Sequence, residues 1–144
     1  MPSIVSSQAW PLVVVDLPPD PTPEVLETFF EEFDGVYARR QTFATLIDAT
    51  RIRRVPGAME RKQLADWAAG KRPLTQLYGA GTAYVITSPV VRAALTAIDW
   101  LFQPPCPQCW KTSQRDALTW CVDRLADREI ATNAQIDALF ERVA

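Results

Sequence analysis

Apolar positions along the chain follow two patterns, short continuous runs and a spacing of three to four residues. Together these patterns predict short strands alternating with amphipathic helices. Branched apolar residues are concentrated in the short runs, and Leu12-Val13-Val14-Val15 is continuously apolar, as in a strand covered on both faces. The predicted strands, of which the last has the weakest pattern, span residues 4–10, 12–17, 42–48, 82–87 and 106–111.

Apolar residues three and four positions apart predict helices between these strands. The strongest pattern follows Thr22, a good N-cap before Pro23, and places an apolar stripe from Val25 to Tyr37 on one face. The other predicted helices span 56–69, 88–102, 113–125 and 132–143, with caps at Ser88, Ser113 and Thr132 and a short turn at 74–78.

This order predicts an α/β fold with a mixed, mostly parallel sheet of four to five strands. The first two strands are close enough to form an antiparallel N-terminal hairpin, and crossover helices join the others. We assign residues 1–128 to one α/β domain and 129–144 to a C-terminal helical extension. No internal repeat or linker interrupts the pattern.

Composition narrows the classes of function. The sequence contains no histidine, which excludes Ser-His-Asp and Cys-His catalysis and metal sites that rely on imidazole. A net charge of -2 argues against a nucleic-acid binder. With three cysteines, no apolar run of membrane-spanning length and no secretory leader after Met1, we expect a cytoplasmic protein with free thiols and neither cofactor nor metal.

Four strings give the chain a family resemblance: ATLIDAT (44–50), YVITSPVVR (84–92), AIDWL (97–101) and DALTW (116–120). They resemble STAS-like (SpoIIAA-like) domains, which are related to anti-sigma-factor antagonists, in the subgroup that shares features with CRAL-TRIO lipid-binding folds. The resemblance covers residues 4–125 and implies a regulatory module that binds a protein partner or a lipidic ligand.

One departure from that family concerns regulation. Its phosphorylatable members carry an Asp-Ser-Ser/Thr-Gly-type string where the second crossover helix begins, whereas this chain reads RRVPGA at 53–58. Thr50 lies upstream of that place and is a poor substitute for the phosphoacceptor. This departure argues against kinase control at this helix and leaves partner binding by the same helix open.

The carboxyl ends of the strands supply the candidate ligand-binding residues, because open α/β sheets bind ligands there. Asp16 and Asp48 end two strands predicted to be parallel neighbours, so their carboxylates either share a proton for acid–base work or cap the loops that follow. Arginines and a helix N-terminus at the same edge favour an anion, although a solvated basic loop is the simpler interpretation. The candidate residues of this edge are Asp16, Asp48, Thr50, Arg51, Arg53, Arg54, Thr87, Ser88 and Arg92.

Two further groups carry alternative hypotheses. Cys106 and Cys109 have the spacing of a redox pair or of half a zinc site, for which Cys121 is the one further thiol. They do not open a helix that would lower a thiol pKa, and small apolar fillers are the simpler interpretation. A set of large apolar residues forms either core or an interface: Trp100, Phe102, Trp110, Leu139 and Phe140.

These observations favour a non-catalytic binding or regulatory module over an enzyme. Its predicted partner is a protein or a small anionic or lipidic ligand at the carboxyl edge of the sheet. The alternative is an enzyme that uses Cys106 and Cys109, or Asp16 and Asp48. A homodimer assembled through the last helix is a third hypothesis.

Overall fold

The computed structural model describes residues 3–102 and 105–143, with the backbone alone for 97–102. Its strands are β1 (Val5–Ser6), β2 (Leu12–Asp16), β3 (Phe43–Asp48), β4 (Gly79–Val85) and β5 (Gln108–Lys111). Its helices are α1 (Pro23–Ala38), α2 (Ala58–Gly70), α3 (Arg72–Tyr78), α4 (Pro89–Phe102), α5 (Gln114–Asp127) and α6 (Ala134–Arg142).

The strands form one sheet in the order β1-β2-β3-β4-β5. β1 pairs with β2 antiparallel, and every other pair is parallel. The predicted fold class is therefore confirmed, including the N-terminal hairpin, the crossover helices and the helix at the C-terminus.

The two faces of the sheet are covered by different parts of the chain. Because β2 to β5 lie in sequence order, crossovers of one hand place their helices on the same face. On that face Val25 and Phe33 of α1 pack against Val13 and Val15 of β2. The opposite face is left for the helices after β5, and there α5 and α6 supply buried side chains beside those of the sheet: Leu118, Cys121, Leu125 and Ile136 with Leu12, Leu46 and Ala83.

Helix N-caps are confirmed at three of the predicted positions, Thr22, Ser88 and Ser113, and shifted at the fourth. Thr22 accepts a hydrogen bond from the backbone of Val25, and Ser113 accepts one from Asp116. The last helix is capped by Asn133, one residue beyond the predicted Thr132. Asn133 is favoured as the cap because its side chain makes two hydrogen bonds. It accepts from the backbone of Ile136, and its amide donates to the carbonyl of Trp10 at 2.8 Å.

Several strand limits differ from the sequence prediction. β1 is only two residues long, because the chain turns between Ser7 and Pro11. β4 starts at Gly79, three residues before the predicted start, since small residues there allow helix α5 to approach the sheet. A Cβ on Gly81 would lie 2.7 Å from Cη2 of Trp120. β5 starts at Gln108 rather than at residue 106, and the predicted turn at 74–78 is helix α3.

Candidate functional site

A cavity of about 180 Å³ lies between the sheet and the crossover helices. It exists because the helices on this face do not cover the sheet equally. Helix α1 buries five side chains, whereas α2, which follows β3, buries none completely. The helical wall of the cavity consists of Val25, Leu26, Phe29, Phe33 and Tyr37 from α1, Leu64, Trp67 and Ala68 from α2, Thr75 from α3 and Leu95 from α4.

A row of polar side chains crosses the sheet beneath the cavity. Thr45 of β3 is in register with Thr82 of β4, and Thr82 is in register with Gln108 of β5. Residues in register on neighbouring parallel strands lie about 4.8 Å apart across the sheet and point to the same face. All three residues line the cavity. Its apolar floor thus contains a short polar row.

A bulkier row lies two residues closer to the carboxyl edge. Ile47, Tyr84 and Trp110 are in register on the same three strands. The rings of Tyr84 and Trp110 are stacked, with centroids 4.4 Å apart and planes inclined by 18°. The row of Ile47, Tyr84 and Trp110 lies between the polar side chains and the carboxyl ends of the strands. The polar row therefore belongs to the interior of the fold.

Trp67 of helix α2 contacts helix α1 through both its ring and its indole N–H. The Trp67 ring stacks on Phe30 with centroids 5.0 Å apart and meets Phe33 edge-on. Its indole N–H donates to Oδ1 of Asp34 at 3.1 Å, and Lys71 pairs with the same oxygen at 3.0 Å. Trp67 therefore fixes one face of the cavity to helix α1.

Two hydroxyls in the cavity wall already have partners. Thr75 donates to the carbonyl of Lys71, so the 2.7 Å bond between Tyr37 and Thr75 uses the phenol hydrogen of Tyr37. Burial raises the pKa of Tyr37 to about 12. The phenol accordingly stays protonated at neutral pH and acts as a fixed donor to Thr75.

The side chain of Gln108, unlike these two hydroxyls, includes an atom that is not hydrogen-bonded. Its Oε1 atom is buried and has no hydrogen-bond partner in residues 3–102 and 105–143. Nearby, the Thr82 hydroxyl and the Cys106 thiol are 3.9 Å apart, within hydrogen-bonding range for sulfur. Since buried acceptors are nearly always satisfied in folded proteins, this Oε1 atom is an exception among the buried side-chain atoms of the described residues.

The predicted ligand-binding carboxylates lie on the other face of the sheet. Asp16 and Asp48 are register partners, as the sequence predicts for neighbouring parallel strands. Each has its own polar neighbours, however. Asp16 pairs with Arg51 at 3.2 Å in an exposed contact, while Asp48 accepts hydrogen bonds from Thr50 and from the side chain of Gln114. These contacts fit the interpretation in which each carboxylate organises a loop.

The remaining residues predicted for the carboxyl edge lie in the loop after β3 and at the start of helix α4. Arg54 pairs with Glu60 at 3.1 Å and also donates to the carbonyl of Pro21. The Ser88 hydroxyl accepts from the backbone of Val91 at 3.4 Å, as an N-cap does. The exposed members of this remaining set are Arg53, Arg54, Thr87 and Arg92. A ligand role at this edge stays a prediction.

The residues predicted for an interface are also separated. Trp110 is half-buried and stacks on Tyr84 beside the cavity. Leu139 and Phe140 pack partly buried on the α5 face, where the guanidinium of Arg115 lies 5.9 Å from the Phe140 ring centre. The side chains of Trp100 and Phe102 lie outside the described residues.

The two thiols of the predicted redox pair are on different faces. Cys106 lines the cavity, whereas Cys109 packs against the core under α5. Neither thiol, nor that of the buried Cys121, is in a disulfide bond. Burial raises the pKa of the Cys109 thiol, and it raises that of Cys121 to about 12. These pKa directions disfavour the thiolate that redox exchange requires.

The described ranges contain no metal-binding cluster of three or more Cys, Asp or Glu residues. No helix in the same ranges is long and apolar enough to cross a membrane.

Sequence reasoning did not identify the cavity residues Thr45, Thr82, Gln108 and Trp67 as functional. A weak signal was available for two of them, because Thr45 and Thr82 interrupt otherwise apolar strands. No protein-family model matches the chain, and comparison with curated proteins and with solved structures gives no match.

Proposed function

We propose that this chain is a non-catalytic binding protein that holds a small, largely apolar molecule in the cavity between the sheet and helices α1 and α2. The observation that carries the proposal is the cavity itself, about 180 Å³ in volume and lined mainly by aliphatic and aromatic side chains. An apolar cavity of about 150 Å³ is large enough to bind benzene. The ligand is therefore of the size of a one-ring aromatic or a short branched chain.

The walls of the cavity support a preformed site. The floor is the middle of a parallel sheet, and one helical wall is the aromatic cluster around Phe33 and Trp67. Such a frame cannot close the space without breaking ring contacts or strand pairs, so the cavity keeps its volume in the free protein.

The chemistry of the lining supports binding over acid–base catalysis. The described lining side chains carry no formal charge, and the phenol of Tyr37 is held as a donor to Thr75. The sequence predicts a lipidic or an anionic small ligand. The uncharged lining favours a lipidic ligand over an anionic one. Membership of the STAS-like family, a protein partner and a cytoplasmic location stay predictions.

The proposal is tested by calorimetric titration of the protein with toluene. We expect saturable binding at one site per chain. The variant Ala68→Leu places three extra carbon atoms in the cavity and is expected to weaken toluene binding at least tenfold. Ala69→Leu makes the same change at the exposed neighbouring position and serves as the matched control.

Unchanged toluene affinity in a folded Ala68→Leu variant would overturn the proposal, as would the absence of any saturable binding to the wild-type chain. Circular dichroism of both variants establishes that they are folded before titration.

A further inference from the structure

We infer that the molecule held in the cavity is an amphiphile with an anionic head group, such as a carboxylate. Its apolar body lies between the sheet and helices α1 and α2, and its head group lies at the arginines beside one end of the cavity. The inference rests on the proposed function, because it names the chemical class of the ligand in the same cavity.

That end of the cavity is formed by two loops that follow the carboxyl ends of β2 and β3. Leu17, Pro18 and Pro21 come from the loop between β2 and α1, and Ile52 and Pro56 come from the loop between β3 and α2. Leu17, Pro18 and Ile52 are only partly buried, so this end of the cavity lies next to solvent. A ligand in the cavity can therefore place one of its ends near the surface here.

Two arginines make hydrogen bonds to the backbone of these lining residues. Arg54 donates to the carbonyl of Pro21 at 3.3 Å, and Arg61 donates to the carbonyl of Pro56 at 2.7 Å. Both guanidinium groups therefore lie beside the loop end of the cavity. Because a guanidinium has five N–H donors, each retains hydrogens for a second acceptor such as a carboxylate.

Positive charge is in excess at this end of the cavity. Residues 51–62 include five cations and one anion, Glu60, which pairs with Arg54 at 3.1 Å. In the described part of the chain, neither Arg53 nor Arg61 forms an ion pair. The backbone N–H of Arg53 donates to the carbonyl of Pro19 at 2.9 Å, which places this arginine at the same two loops. An anion here gains two guanidinium partners, whereas the same anion deeper in the uncharged cavity would lose its hydration without compensation.

Helix α2 adds to this preference because it begins at the same place. Its N-cap is Gly57, directly after the lining residue Pro56, and no side chain of the cap accepts a hydrogen bond from the first turn. The N–H groups and the dipole of a helix N-terminus favour an anion. The uncharged interior and the positive end together match an amphiphile with an anionic head group and disfavour a cationic one.

Calorimetric titrations with three probes that share one phenylpropyl frame test the inference. The probes are 3-phenylpropionate, 3-phenylpropanol and 3-phenylpropylammonium, which are anionic, neutral and cationic at neutral pH. We expect wild-type protein to bind the carboxylate about tenfold more tightly than the alcohol, and the ammonium more weakly than either. Saturating toluene should compete with the carboxylate, because both place a ring in the cavity.

Paired variants isolate the contribution of the arginines. In Arg53→Gln/Arg61→Gln the carboxylate-to-alcohol affinity ratio is expected to fall about tenfold, while the affinity for the alcohol changes less than twofold. Arg53→Lys/Arg61→Lys keeps both charges and should keep the ratio within about threefold of wild type. Arg115→Gln/Arg142→Gln removes two exposed charges from α5 and α6, which cover the opposite face, and should leave the ratio unchanged.

A measurement on wild-type protein makes the test independent of how the variants fold. Saturating 3-phenylpropionate is expected to shift the side-chain Nε–H resonances of Arg53 and Arg61 in a ¹⁵N correlation spectrum, and 3-phenylpropanol to shift them much less. Equal shifts, equal affinities for the carboxylate and the alcohol, an unchanged ratio in the glutamine variant, or carboxylate binding that toluene does not weaken would overturn the inference. Saturable toluene binding would then leave the proposed function intact. Failure of toluene and all three probes to bind wild-type protein would overturn both.

Discussion

Thr82 and Gln108 occupy paired positions on the parallel strands β4 and β5, and both line the cavity beneath helix α2. Gln108 is the first residue of the edge strand β5, and Thr82 lies on the neighbouring strand. Their neighbours towards the carboxyl edge, Tyr84 and Trp110, are stacked rings. The pair is thus a polar spot in the lining of a mainly apolar cavity.

Trp67 is predicted to hold helix α2 against the rest of the molecule. Trp67→Ala removes the stacking on Phe30 and the hydrogen bond to Asp34, and should destabilise the protein by about 3 kcal/mol. Urea unfolding measures this loss. Because α2 has no completely buried side chain, its amide protons should also lose protection in hydrogen exchange before those of β3. Trp67→Phe is the matched variant, since it keeps a ring and should lose about 1 kcal/mol.

Equal loss of amide protection in α2 and β3 in Trp67→Ala would show that the helix does not open separately, and would contradict this role of Trp67.

Gly81 is predicted to tolerate no side chain. A Cβ there would lie 2.7 Å from the ring of Trp120 and 3.0 Å from Cγ of Arg124. Gly81→Ala should therefore force α5 away from β4 and cost about 1–3 kcal/mol in the free energy of unfolding. Gly35→Ala is the control, because Gly35 is an exposed position of helix α1 where a Cβ meets nothing within 4 Å, and the change should stabilise the protein by about 0.5–1 kcal/mol. Equal effects of the two changes on chemical denaturation would argue against close packing of α5 on the sheet.

The order of elements was readable from the sequence because it depends on local patterns. The apolar stripe after Thr22 and the run Leu12-Val13-Val14-Val15 identify a helix and a buried strand from neighbouring residues alone. Their ends were less certain where two signals compete. Thr132 and Asn133 both suit an N-cap, and only the contact of Asn133 with Trp10, more than a hundred residues away, decides between them.

The candidate site, in contrast, could not be predicted from local patterns in the sequence. Thr45, Thr82 and Gln108 form a row only because of the strand register, which brings together residues far apart in sequence. A cavity is a volume left between elements, and it depends on how completely α2 covers the sheet. Asp16 and Asp48 were correctly predicted to be neighbours, but the sequence does not say that their side chains have separate partners.

Glu32 is predicted to make the N-terminal strand sensitive to acid. Burial acts to raise the pKa of Glu32, but hydrogen bonds from the Ser3 hydroxyl and the backbones of Ile4 and Val5 outweigh it, so the pKa lies below its ordinary value of 4.5. A group with a lowered folded-state pKa stabilises the protein above its ordinary pKa, and this contribution is lost as the pH falls through the lowered value. Glu32→Gln should cost less than about 1 kcal/mol at pH 7, because solvent screens this partly exposed carboxylate, and should flatten the loss of stability below pH 4.5.

The control for this pH dependence is Glu31→Gln, which changes an exposed neighbour in the same helix. Urea denaturation at several pH values compares the two variants with the wild-type chain. A Glu32→Gln curve parallel to the wild-type curve between pH 3 and 6 would contradict the role given to Glu32.

The thiols are predicted to react in an order set by burial. Cys121 is fully buried and has a pKa of about 12, so its thiolate is scarce at pH 8 and alkylation should require unfolding. Cys109, whose pKa is also raised, should react faster than Cys121 but more slowly than a free peptide thiol. Peptide mapping after timed treatment with iodoacetamide measures each rate. Alkylation of Cys121 in folded protein as fast as in urea would contradict the packing of α5 on β3 and β4.

The most direct test of ligand binding in the cavity is to locate a bound probe by nuclear Overhauser effects in solution. With toluene at saturation, we expect contacts from the ring protons to the methyl groups of Thr45 and Thr82 on the cavity floor. Contacts confined to the exposed side chains of Met59 and Val90 would place the probe on the surface and contradict binding in the cavity.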